Sequence, residues 1–155
     1  MSEDMRLYIE KYDGTRWKNV EPWLCVINWY VAWDFAPFFD VHWEHLFFWG
    51  RPGDFGRVLR SIGTTDEIPS DASQNIKQLF LAYKEVEHFD MFSYTTLPNL
   101  LNFDWTKRSL EPYSPTDDDE PFYITCEPWF PIIFKLLKLA NGNYDSIRIY
   151  TAINF

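Results

Sequence analysis

The chain has 155 residues, a formal net charge of −9, and a composition that is 46% hydrophobic and 20% aromatic. That length fits one domain of ordinary size, 1–155, and the aromatic rings can fill a substantial core. The acidic balance disfavours a general nucleic-acid binder, because phosphate binding is driven by Lys and Arg displacing counterions. The longest mostly apolar run, 129–140, contains Lys135 and Lys138 and is too short to span a bilayer.

Met5, Leu7 and Ile9 alternate with Arg6, Tyr8 and Glu10, which predicts a half-buried strand. Asp13-Gly14 is a turn pair, and 16–20 reads as the return strand, ended by Pro22. Residues 24–27 and 29–31 have strand composition. The period over 42–49 fits a short helix or a strand, and both readings stay open. Gly50-Arg51-Pro52-Gly53 is a loop by its breakers. Phe55, Val58, Leu59 and Ile62 recur at helical spacing, with Asp54 as N-cap and Gly63 just past the end. A polar loop is expected over 64–70.

A second helix is expected from Ser70 or Asp71, with Ile76, Leu79, Phe80, Tyr83 and Val86 as its apolar stripe. A third begins at Thr96 with Pro98 in its first turn. Three prolines and the run Asp117-Asp118-Asp119-Glu120 make 109–121 a solvated acidic loop. Pro131 starts a strongly apolar helix that Asn141-Gly142 ends. Ile147, Ile149, Thr151 and Ile153 then alternate with polar and aromatic residues as a closing strand. Strands at both ends with helices between predict an α+β fold. It would be a small, mostly antiparallel sheet holding both terminal strands, with three to five helices packed on it.

Four pieces of the chain resemble, in order, an uncharacterised phage and prophage protein family. That family opens on Met-Gly-Cys-Asp-Ile-His-Leu-Tyr, then a short strand, Asp-Gly-x-Trp and a second strand, matched here by Asp4, Leu7, Tyr8, Glu10, Asp13-Gly14 and Trp17. Residues 68–73 resemble its Gly-Leu-Pro-x-Asp-Ala-Ser stretch. Ser93, Tyr94, Thr96, Leu97, Leu100, Leu101, Asp104 and Trp105 fit its Ser-Trp-Leu-Thr-Leu…Asp-Trp stretch, and 147–150 resemble its closing strand. The resemblance implies a phage setting. The family's opening Cys and His fall on Glu3 and Arg6, and its His-Ser-His-Ser-Trp falls on 90–94, which hold no histidine. Arg cannot ligate zinc and Phe cannot move a proton, so the departures favour a binding scaffold over an inherited metalloenzyme.

Candidate chemistry is sparse. On a helix His42 and His45 share a face and are the weak metal candidates, but a third and fourth ligand are not evident, and ordinary surface or half-buried histidines are by far the plainer reading. A small metal-dependent hydrolase is therefore the last of three functional readings. Cys25 and Cys126 form neither a disulfide framework nor a zinc spacing, and Cys126 reads as a small buried hydrophobe beside Glu127. Arg51, Arg57 and Arg60 are the main positive cluster, and Trp49 is near them in sequence. Together they suggest a pocket for a small anionic, phosphorylated nucleotide, against the plainer reading of surface ion pairs. Asp117, Asp118, Asp119 and Glu120 suggest docking on a basic host protein, against a merely solvated loop. The aromatic block 29–49 must be mostly core, yet its density suggests that rings such as Trp33 and Trp43 reach the surface as binding anchors.

The leading expectation is a non-catalytic phage accessory protein that binds and inhibits a host protein, as in counter-defence. No cofactor and no membrane are expected. The opening shows no basic stretch followed by an apolar run, so the host cytoplasm is the expected compartment. Nothing in the sequence sets an oligomeric state.

Overall fold

The computed structural model describes residues 4–20, 25–28, 53–85 and 91–154. Six strands form one antiparallel sheet: β1 (Asp4–Tyr12), β2 (Trp17–Asn19), β3 (Cys25–Asn28), β4 (Thr64–Thr65), β5 (Met91–Thr96) and β6 (Ile147–Asn154). Their order is β2-β1-β6-β5-β4, and β3 also pairs with β1. β2 pairs with 10–12 of β1 and β3 with 4–7, so the two lie in tandem beside it. The terminal strands β1 and β6 are neighbours, in register from Asp4↔Asn154 to Lys11↔Ile147. Five helices occur among the described residues: α1 (Gly53–Ser61), α2 (Gln74–Glu85), α3 (Leu97–Asn102), α4 (Phe122–Thr125) and α5 (Phe130–Ala140). The fold is α+β.

The sheet is covered on both faces, which corrects the half-buried reading of β1. Leu7, Ile9, Ile147 and Ile149 pack with Phe55, Val58 and Leu59 of α1, and with Leu97, Leu100, Phe122 and Leu136 from α3, α4 and α5. On the opposite face Tyr8, Tyr150, Ala152 and Phe92 pack under Ile76 and Tyr83 of α2. Period-two alternation identified the strands but not the second cover, because Tyr and Ala suit either phase. The Tyr8 and Tyr83 hydroxyls hydrogen-bond across this second layer.

Local chemistry explains most boundaries. Gly14 turns the first hairpin at φ 98°, and the Asp13 carboxylate accepts from the backbone N–H of Thr15 and of Arg16. The Thr96 hydroxyl caps α3 by accepting from Asn99 N–H at 3.3 Å. Asn141 ends α5 in the left-handed region at φ 50°.

Several expectations need correction. Asp54 lies inside the first turn of α1 rather than before it. Gly63 lies just past the end of α1, as expected, and also serves a close approach: a Cβ there would sit 2.5 Å from the Tyr94 carbonyl oxygen of β5. Residues 69–72 form a turn, closed by Ala72 N–H to Pro69 O at 3.1 Å, so α2 starts later than expected, and Val86 lies outside the described residues. Residues 64–65 form the edge strand β4, although a loop was expected. β5 was not anticipated as a strand, since its Ser93 and Thr95 are polar yet buried; Thr95 Oγ donates to Ile62 O at 3.1 Å. Phe134 of α5 is 61% exposed. No helix among the described residues is long and apolar enough to cross a membrane.

Candidate functional site

The acidic segment 109–121 is a loop, with residues 111–120 all exposed. Its neck is closed by backbone bonds: Phe122 N–H donates to Lys107 O at 2.9 Å, and Tyr123 N–H to Trp105 O at 3.0 Å. Below the neck, Phe103 meets Trp105 edge-on, and Trp105 meets Phe130 likewise. A loop whose ends are pinned over a packed base holds its tip in place. Internal bonds add to this. Arg108 Nη1 donates to Thr116 O at 3.2 Å, and Ser109 Oγ to Tyr113 O at 2.8 Å. Thr116 N–H donates to Asp119 Oδ2 at 2.7 Å.

Between this loop and α1 lies an open groove of about 1140 Å³. Arg57 and Arg60 line it from α1, and Arg108 from the start of the loop. Asp118, Asp119 and Glu120 line it too, together with Glu111 and Asp54. Three guanidiniums and five carboxylates therefore share one concave surface. Arg57 pairs with Asp54 at 3.5 Å in an exposed geometry, which contributes little. Tyr113, at the same groove, is 78% exposed.

The groove thus gathers two sets of residues that the sequence suggested for different ligands: Arg57 and Arg60 for a nucleotide, Asp118, Asp119 and Glu120 for a protein. Asp117 belongs to the loop but does not line the groove. Arg51, Trp49, Trp33, Trp43, His42 and His45 lie outside the described residues. Arg108 and Tyr113 were missed. Neither belongs to the charged clusters singled out in the sequence, and the closed loop carries them to α1.

A second polar cluster lies in the layer under α2. Glu10 is 0% exposed, and Asn19, Glu10 and Arg148 sit side by side on β2, β1 and β6. Glu10 Oε1 accepts from the Tyr150 hydroxyl at 2.5 Å, and Oε2 from Ser73 N–H at 2.6 Å. Arg148 reaches Asp71 at 2.8 Å and lies 3.7 Å from Glu10, with its guanidinium 3.8 Å over the Trp17 ring. Burial, then the Glu10 carboxylate, pushes the Tyr150 phenol up. Asn19 Nδ2 and Arg148 Nη1 are buried without a hydrogen-bond partner among the described residues. These residues lie far apart in the chain. In the sequence they looked unrelated, because Glu10 and Arg148 fall on the polar phase of their strands.

Comparison with protein-family models, with curated proteins and with solved structures gives no match.

Cys126 is fully buried, and burial pushes its thiol up to about 12, so the nucleophilic thiolate is suppressed. The thiol packs in the core with α1, as the sequence suggested. No group of three or more His, Cys, Asp or Glu among the described residues could hold a metal ion. The cluster at Glu10 is packed shut, whereas the groove is open and carries its charges at the surface.

Proposed function

We propose that this chain is a non-catalytic binding protein that docks on a basic surface of a partner protein through the groove between α1 and the 108–120 loop. In the phage setting implied by the sequence resemblance, the partner is a host protein and docking inhibits it, a counter-defence role. The observation that carries this reading is the charge count of the groove, five carboxylates against three arginines, on a chain of net charge −9. Such a surface attracts and orients a basic partner. The pinned neck of the loop supports it, because a pre-ordered surface loses less freedom on binding.

A phosphorylated nucleotide is the second reading, favoured by Arg57, Arg60 and Arg108 meeting in one groove. The five carboxylates oppose it. All line the same groove, and like charges closer than the Debye length of about 8 Å are poorly screened.

The test is capture from host lysate by the wild-type chain and by the D118N/D119N/E120Q variant, with mass-spectrometric identification. The expected result is a basic protein bound by the wild type, lost by the variant, and released as salt rises. Equal capture by both proteins, or capture of nothing above background, overturns the reading. A thermal-shift screen separates the nucleotide alternative, since a ligand at about 100-fold over its Kd adds roughly 2.7 kcal/mol of stability.

A further inference from the structure

The groove is acidic in sum but not uniform, and this restricts what fits it. A uniformly basic segment neutralises Asp118, Asp119 and Glu120 but brings its cations against Arg57, Arg60 and Arg108. A uniformly anionic ligand meets the reverse mismatch. Like-charge contacts of this kind are a strong source of discrimination. Only a ligand carrying both signs answers both sets of groups.

We propose that the groove recognises a bipolar peptide segment: basic residues that engage Asp118, Asp119 and Glu120, adjoining one oxyanionic residue that engages Arg57 and Arg108. This rests on the docking function proposed above and names the chemistry of the docked segment. The arginines are suited to the task. Among the described residues, Arg57 pairs with Asp54 in an exposed 3.5 Å contact, which an incoming carboxylate or phosphate can replace at little cost. Arg108 places one N–H on Thr116 O, which orients a fork that has further donors to offer. A guanidinium pairs bidentately with either oxyanion. Arg60, on the same helix face as Arg57, adds positive charge to that part of the groove.

The basic half of the segment has a further contact. Tyr113 is exposed at the groove, and its backbone is fixed at both ends, by its N–H to Leu110 O at 2.9 Å and by Ser109 Oγ to its carbonyl. A ring held this way offers a face to a Lys or Arg of the ligand. Net affinity comes from the carboxylates, and selectivity among basic segments comes from the arginines.

The experiment uses the full chain and three synthetic peptides of equal length, titrated by fluorescence anisotropy. One is Lys-rich with neutral spacers. The second replaces one spacer beside the Lys run by Glu. The third carries phosphoserine there. The better of the two bipolar peptides is expected to bind about tenfold tighter than the Lys-rich one, and their ranking tells carboxylate from phosphate. The R57Q/R108Q variant is expected to abolish that preference while binding the Lys-rich peptide at least as well as wild type does. The D118N/D119N/E120Q variant weakens all three. A Lys-rich peptide that binds as tightly as both bipolar ones overturns the bipolar inference and leaves the docking function standing. Failure of every peptide to bind overturns both. Circular dichroism of each variant confirms that these exposed substitutions leave the fold intact.

Discussion

Two polar clusters of similar composition have opposite character. Around Glu10, a carboxylate, an arginine, a phenol and a helix-leading serine are enclosed between the sheet and α2, with hydrogen bonds of 2.5 and 2.6 Å to the carboxylate. In the groove beside α1, Arg57, Arg108, Asp118, Asp119 and Glu120 stand in solvent, and Arg57 and Asp54 pair at 3.5 Å. Burial raises the cost of losing any one partner in the first cluster, because the group left behind cannot return to water. Exposure makes the charges of the second nearly irrelevant to stability and leaves them available to a ligand. Equal residue types therefore serve the fold in one place and recognition in the other.

The largest expected effect falls on the buried cluster. E10Q places an amide donor toward either the Tyr150 hydroxyl or the Ser73 N–H and removes the charge beside Arg148; it is expected to cost about 3 kcal/mol in urea unfolding. An unchanged midpoint would dissolve the distinction between the clusters.

Y150F comes next, at about 2 kcal/mol for a hydrogen bond to a buried carboxylate. It also has a pH signature. The raised phenol of Tyr150 contributes stability below the ordinary phenol value of 10.0 that is lost as pH climbs above it. The variant should therefore show a shallower alkaline limb than wild type.

The groove should respond far less. D118N/D119N/E120Q is expected to change unfolding free energy by at most about 0.5 kcal/mol while abolishing capture of a basic partner. A large loss of stability would mean that the loop is a structural brace.

The smallest effect is at the first hairpin. The Lys18 ammonium at 2.8 Å, with the N–H groups of Arg16 and Thr15, holds the Asp13 carboxyl below the usual range. Its contribution is present above the ordinary value of 3.8 and fades as pH falls below it. D13N should slightly lower stability at neutral pH, converge with wild type as pH falls and so flatten the acid limb, while leaving groove binding unchanged.

Legibility in the sequence followed how local each cause was. The Asp13-Gly14 turn, the helix start at Thr96 and the Asn141 stop act within four residues and were readable. The start of α2 was misplaced because the groups around Ser73 include Glu10, far away in the chain. Arg57, Arg60 and the acidic run were readable as charged groups, but their meeting in one groove was not, since bonds from Phe122 to Lys107 and from Tyr123 to Trp105 fold the loop back toward α1.

The sequence by itself determined the α+β class, the two alternating terminal strands, several turns and caps, and the acidic exposed loop. Each follows from periodicity or from bonds between near neighbours. Tertiary structure alone decided that both sheet faces are covered, that Glu10 and Arg148 lie buried together, and that carboxylates and arginines share one groove. Those outcomes depend on which distant surfaces exclude water from one another, and a residue's neighbours along the chain carry no record of that.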